Sequence, residues 1–263
     1  FKVQSCLMDE KSLQTLEFSK VLERLAGYAA FSASAELARA LRPTSELETA
    51  LDRQAVTREA RLLLSVKSEV SIGGARDVRD LAARAARGGV LLPAELLDIK
   101  ATLISARELF RAFERKQEQY PHLCLTAEQL APPPGLIEAI SRAISDRSEI
   151  LDSASPKLGS IRAEVKIAHE RLLSKLQKIL QDPRNGPHLQ ESIITTRNGR
   201  YVIPVRAESR GHIRSIVHDQ SSSGQTLFIE PLVTVDLNNQ WHELQLAERD
   251  EERRILSELS DQV

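Results

Sequence analysis

Cysteine is scarce: two residues in 263, Cys6 and Cys124, with no CxxC pair. Two thiols without a spaced ligand set build neither a disulfide framework nor a zinc site, and point to a reducing cytoplasm. Aromatics make up 4%, and the chain breakers are few, 11 Gly and 11 Pro. That poverty disfavours the turn-dense patterns of sandwiches and barrels. No apolar run approaches the roughly 20 residues of a membrane-spanning helix. The opening FKVQSCLMDE lacks the basic and apolar regions of an export signal. Neither GxxxxGK[ST] nor G-x-S-x-G occurs, which removes a P-loop nucleotide site and a nucleophile elbow. His242-Glu243 has no second His at the HExxH position, so no zincin-type metal site is expected.

What remains is a charged, helix-rich chain. Hydrophobic residues reach 41%, enough for a core, and charged residues 28%, with Lys plus Arg (36) balancing Asp plus Glu (37). Any nucleic-acid surface must therefore come from segregated rather than net charge. The chain starts at Phe1 and its end, ERRILSELSDQV, stops inside a helical pattern without a cap, as expected for a piece of a longer protein. Met8, the single Met, lies shortly before the first helical pattern.

Residues 1–155 read as a helical core. Leu16, Val21, Leu22 and Leu25 recur at helical spacing, as do Leu47, Leu51, Ala55 and Leu62 after a Ser45 cap signal, and both sets are expected to face the core. A short helix lies between glycine pairs, a longer one starts at Pro93 and ends before Pro121, and another covers Leu136 to Ile150. Residues 156–182 differ. Leu158, Ile161, Val165, Ala168, Leu172, Leu176 and Ile179 form a narrow seam on a charged helix, the coiled-coil pattern of a long arm packed on one neighbour.

After DPRNGP the period changes to two. Two hairpins are predicted within 183–234, one around Asn198-Gly199 and one around the Ser-Gly turn, giving four antiparallel strands with Pro204 at an edge or bulge. Helical character returns over 235–263. The fold class is mainly α with a small antiparallel β insertion, carried between two long helices.

The stretch HDQSSSGQTLFIEP, His218 to Pro231, places His, Asp and serines together as in a Ser hydrolase. On a regular strand His218 and Asp219 point to opposite faces, so Asp219 does not orient the ring of His218. A turn built by Ser221, Ser223 and Gly224 accounts for the same letters without catalysis. His218, Asp219 and Glu230 are also candidates to meet across the hairpin as metal ligands, though no spacing elsewhere supports a metal.

Between Ile161 and Ile216 eleven basic residues oppose five acidic, a net of +6, whereas Trp241 to Val263 carries −4. The basic candidates for phosphate contact are Lys175 and Lys178 on the helix and Arg197, Arg200, Arg206 and Arg210 around the hairpin. The competing reading is a solvated face neutralised by the acidic last helix.

The run NGRYVIPVRAESRGHIRSIVHDQSSSGQTLFIEPLVTVDLNN, Asn198 to Asn239, resembles the signature of the second bacterial MutS branch, which lacks the mismatch-recognition domain of MutS itself. TLEFSKVLERLAGYA, GGVLLPAELLDI and ILDSASPKLGSIR resemble further markers of that family, so the likeness covers most of the chain. It implies a helical core, two antiparallel lever helices and a β clamp at their tip that grips nucleic-acid backbone. It also implies that the longer proteins carry an ABC-type ATPase domain, with ATP and Mg, through which they homodimerise, and a C-terminal Smr endonuclease domain. This chain itself is then expected to hold no cofactor and no catalytic residue. The resemblance implies suppression of recombination through branched DNA, or binding and splitting of collided ribosomes through rRNA. An alternative is a coiled-coil adaptor whose β tip binds a protein.

Overall fold

The computed structural model describes residues 10–66, 70 and 72–263, so Cys6 and Met8 lie outside the described residues. Two compact units result, one comprising the described residues up to Glu149 with Leu256–Val263, the other Ile150–Ile255.

The first unit is helical: α1 (Glu10–Thr15), α2 (Phe18–Ala26), α3 (Ser32–Arg39), α4 (Leu47–Val66), α5 (Arg79–Ala85), α6 (Pro93–Phe113), α7 (Pro121–Glu128) and α8 (Leu136–Ala143). Leu91, Leu96, Ile99, Leu136, Ile140 and Ile144 are buried, and α6 packs on α8. The α4 helix meets the short α7, where Leu63, Tyr120 and Cys124 cluster. There the Glu59 carboxylate accepts the backbone N–H groups of His122 and Leu123 and contacts His122 Nδ1 at 2.6 Å. Burial pushes the Glu59 carboxyl up, but these hydrogen bonds outweigh it and hold the group below its usual range. Burial also raises the Cys124 thiol.

Three expectations are corrected here. Leu16 is 61% exposed, and Val21 and Leu25 also face outward, leaving Leu22 as the buried member of that set. Leu47 is 72% exposed, with Leu51 and Leu62 likewise uncovered, while Leu63 is buried instead. Helical periodicity shows that a stripe exists but not that a neighbour covers it, and eight-residue α7 reaches α4 only near its C-terminal end. The helix expected to reach Ile150 stops at Ala143, where Ile144 turns extended and Ser148 adopts φ +63° in a turn closed by Ser145 and Glu149.

The second unit holds α9 (Pro156–Gln181), most of α10 (Leu232–Ser260) and four strands: β1 (Thr195–Arg197), β2 (Arg200–Arg206), β3 (Ser215–Gln220) and β4 (Thr226–Pro231). Helix α9 starts with Pro156 at N1 and with Ser155 Oγ accepting the Leu158 N–H, the hydroxyl cap that satisfies a free first-turn donor. Its 26 residues span about 39 Å at the usual rise per residue. The seam behaves as the spacing predicts: Leu158, Ile161, Ala168, Leu172 and Leu176 are buried, with Val165 half-buried and Ile179 packed on the core. Ser155 meets Glu251, Arg162 meets Glu248 and Glu252, and His169 stacks on Trp241 at 5.6 Å. Rising numbers on α9 face falling numbers on α10, so the two helices are antiparallel.

The sheet order is β1-β2-β4-β3, antiparallel throughout. At the first hairpin Asn198 (φ +51°) and Gly199 (φ +76°) both adopt left-handed backbone, the requirement of a type I′ turn. Pro204 lies beyond the end of β1; its carbonyl accepts from Gln190 on the side away from β4, so its missing N–H costs no ladder bond. One face, with Ile203, Val205, Leu227 and Ile229, closes the core against Leu172 and Leu176. On the other face Val202, Pro204 and Glu230 are buried. The sheet curls enough for its two edge strands to touch there: Asn198 Nδ2 donates to the His218 carbonyl, and Arg197 pairs with Asp219 at 3.1 Å.

Candidate nucleic-acid interface

The His218 to Pro231 stretch is a hairpin whose side chains fasten the curled sheet. Val217 pairs with Ile229 and Asp219 with Phe228, so His218 is the extra residue of a β-bulge. Strict alternation therefore fails, and the expectation that His218 and Asp219 point to opposite faces is corrected: both turn to the face of Phe228 and Glu230. They still do not meet. His218 Nε2 contacts Glu230 Oε2 at 2.6 Å, whereas Asp219 takes Arg197, whose guanidinium lies 4.0 Å over the Phe228 ring. In the turn, Ser221 Oγ accepts the Thr226 N–H and lies 3.3 Å from Ser223 Oγ, while Gly224 has φ +73°. Among the described residues none of these hydroxyls bonds His218, and no three metal-ligating side chains converge. The arrangement fixes strand register.

Glu230, named in the sequence only as a candidate metal ligand, meets His218 across the hairpin but as the centre of a fastening that also takes Arg200. Fully buried, it accepts from Arg200 at 2.9 Å on one oxygen and from His218 on the other. Arg200 also donates to Asn239 Oδ1 at 2.5 Å. Next to it, buried Asn238 donates to the Tyr201 carbonyl and accepts the Tyr201 N–H, completing on α10 the two backbone bonds that a further strand would make. Tyr201 in turn hydrogen-bonds His169 at 2.8 Å and packs 5.0 Å from Trp241. The signal available in the sequence was the Asn238-Asn239 pair closing the signature run.

The six predicted cations fall into three groups. Arg197 and Arg200 are committed to Asp219, Phe228, Glu230 and Asn239. Arg206 is exposed, donating from Nε to the Leu189 carbonyl and lying 3.9 Å from Glu208. Lys175, Lys178 and Arg210 are exposed with no side-chain partner among the described residues, and so are Arg171 and Arg214, which the sequence reading left out. Arg171, Lys175 and Lys178 share one stripe of α9, at spacings of four and three residues.

Three of the α10 acids, Glu248, Glu251 and Glu252, are engaged away from that stripe. Glu248 and Glu252 bind Arg162, together with Asp152 and the Ile150 carbonyl. Burial lowers the Arg162 guanidinium, but these three carboxylates outweigh it and raise it above its ordinary value. Glu251, buried, is held by Arg254 at 2.7 Å, Ser155 at 2.8 Å and Lys157 at 3.0 Å. The Arg254 hydrogen bond leads in pulling its carboxyl down to about 2, against the upward push of burial. These pairs sit at the end of the helix pair away from the sheet.

No helix among the described residues is long and apolar enough to cross a membrane. No protein-family model matches the chain. Individual relatives do. The chain is 42% identical over 259 residues to Endonuclease MutS2 of Thermomicrobium roseum, covering 97% of this chain and 32% of that protein. It is 41% identical over 253 residues to Endonuclease MutS2 of Pelotomaculum thermopropionicum, covering 96% and 32%, and 42% identical over 259 residues to that of Geobacillus thermodenitrificans, covering 97% and 33%. The chain thus spans about a third of the length of the curated relatives it matches. With identity near this level sustained from the helical unit through the fastened hairpin, the chain belongs to the MutS2 branch of the MutS family.

Proposed function

We propose that the second unit grips nucleic acid by its phosphates, as the lever and clamp part of a MutS-like homodimer. The observation that supports this most is the segregation of cations: Arg171, Lys175, Lys178, Arg210 and Arg214 have no side-chain partner among the described residues, while Glu248, Glu251 and Glu252 of α10 are engaged at the other end of the helix pair. Unpaired guanidinium and ammonium groups position a phosphate backbone without reading bases. Arg197 and Arg200 act one step back, by holding the hairpin. ATP and Mg binding in a further domain of the longer protein would move the α9–α10 pair, and cutting, the activity in the relatives' name, would reside in a further nuclease domain. Two substrates fit backbone recognition: branched DNA, with suppression of recombination as the outcome, and rRNA in collided ribosomes, with their splitting as the outcome.

The test is a salt-series anisotropy titration of the chain against branched DNA, linear duplex and an rRNA fragment, beside Lys175/Lys178/Arg210→Glu. On DNA the variant should lose affinity and flatten the logarithmic salt slope by up to about 3, at roughly 0.9 per phosphate contact. A salt-independent interaction, or a slope unchanged in the variant, would overturn the reading and favour a protein-binding tip.

A further inference from the structure

On the core-facing side of the sheet lies a cleft of about 640 Å³, lined by β2, β3, β4 and the loop running from Ala207 to Arg214. Its volume falls in the range of small-ligand sites, roughly 300–1,000 Å³. One wall is apolar, formed by Ile213, Val217, Leu227 and Leu232, of which Val217 is 42% and Leu232 50% exposed. The rim is cationic, with Arg210 and Arg214, and no carboxylate lines it. His188 closes the far side, its ring stacked on His212 at 3.8 Å and 15° and its Nδ1 held 3.2 Å from Ser209 Oγ.

An apolar wall, a fixed ring and two free guanidinium groups are the surfaces on which unstacked bases and their phosphates settle. A base inside a continuous duplex is stacked on both sides and cannot enter. A peptide adding to β3 as a further strand is disfavoured, because the bulge at His218 interrupts that edge. Resting on the nucleic-acid reading above, we infer that this cleft receives a single unpaired nucleotide, its base against Val217 and Leu232 and its phosphate at Arg210 and Arg214. The unit then favours strands with an extrahelical residue over continuous duplex, a preference that phosphate contacts alone do not supply.

The experiment uses the 263-residue chain and three fluorescein-labelled DNA hairpins: fully paired, with one bulged adenosine, and with the same bulge made abasic. Affinity is read by anisotropy at one salt concentration, then across a salt series. The bulged adenosine should bind about tenfold tighter than the abasic bulge, the gain expected from covering roughly 50 Å² of a base face against an apolar wall. Val217→Gln, which replaces the apolar wall without adding charge, should remove that difference, with unchanged Trp241 emission confirming the fold. Leu232→Gln serves as the second variant. Equal, salt-sensitive binding of adenosine and abasic probes would overturn the cleft assignment and leave the backbone reading standing. A base preference that survives both variants would place the base elsewhere and also overturn it. No binding of any probe would overturn the backbone reading, and this inference with it.

Discussion

Removing the Arg200 guanidinium tests whether the signature run is a structural fastening. Glu230 is fully buried and has two partners, Arg200 and His218, while Arg200 itself is 30% exposed on its side chain. Arg200→Met keeps the aliphatic stem and deletes the charge, leaving a buried carboxylate with only an imidazole at 2.6 Å. Breaking a buried pair from one side costs about 3–5 kcal/mol. His218 remains beside Glu230, which places the expectation at the lower end, about 3 kcal/mol. At a urea slope of about 2 kcal/mol per M, the unfolding midpoint of this unit drops by roughly 1.5 M. Trp241 is the only Trp, packed on His169 and Tyr201 beneath the sheet, so its emission reports the second unit selectively. Arg200→Met/Glu230→Gln should recover most of the loss, because the amide buries no charge and still accepts from His218. A single variant that unfolds within about 1 kcal/mol of wild type, yet binds nucleic acid more weakly, would refute the reasoning and make Arg200 a ligand-facing cation.

Glu251 gives a pH signature: its carboxyl is lowered from an ordinary 4.5 to about 2. A depressed acid stabilises the fold above its unfolded value and loses that contribution as pH falls through its folded value. The second unit should therefore lose about 3 kcal/mol between pH 4.5 and 2, with Glu251→Gln flattening that part of the acid-denaturation profile. Asn238→Ala strips both bonds from the Tyr201 backbone and should cost about 2 kcal/mol in urea unfolding followed at Trp241; Asn238→Asp should be at least as harmful, since it removes the donor to the carbonyl. Gly224→Ala should cost about 1 kcal/mol, because a Cβ at φ +73° is strained and meets Gln220 Nε2 at 3.2 Å. A fluorophosphonate probe should leave Ser221, Ser222 and Ser223 unlabelled, as mass spectrometry of the treated chain would show.

Periodicity disclosed those elements whose partners it also implies. The α9 seam was legible because a narrow stripe on a charged helix permits one neighbour, and α10 supplies it with Leu237 and Trp241. The hairpins were legible because Asn198-Gly199 is chemically committed to positive φ. The first unit resisted the same method. Its leucines repeat with helical period, yet Leu47 and Leu51 lie where α7 does not reach, and burial is a property of the neighbour rather than of the stripe.

The site was legible as a signature but not as a set of contacts, and the reason is the sequence distance that each contact spans. Arg200 finds Glu230 thirty residues away and Asn239 thirty-nine away; no local window joins them. Charge counting marked out a basic segment but weighed all its cations alike, although a guanidinium over Phe228 with a carboxylate beside it is spent, and an unpartnered Lys175 is not. The bulge at His218 was invisible for a related reason: it follows from curling the sheet until Asn198 touches β3, a closure to which both hairpins contribute. Once curled, the sheet needs its cations inside as fastenings and others outside for any ligand. A charge reversal at Arg197 or Arg200 should then unfold the hairpin and abolish binding together, whereas reversal at Lys175 or Lys178 should weaken binding with urea stability within about 0.5 kcal/mol of wild type. Only the second pattern separates a loss of binding from a loss of fold.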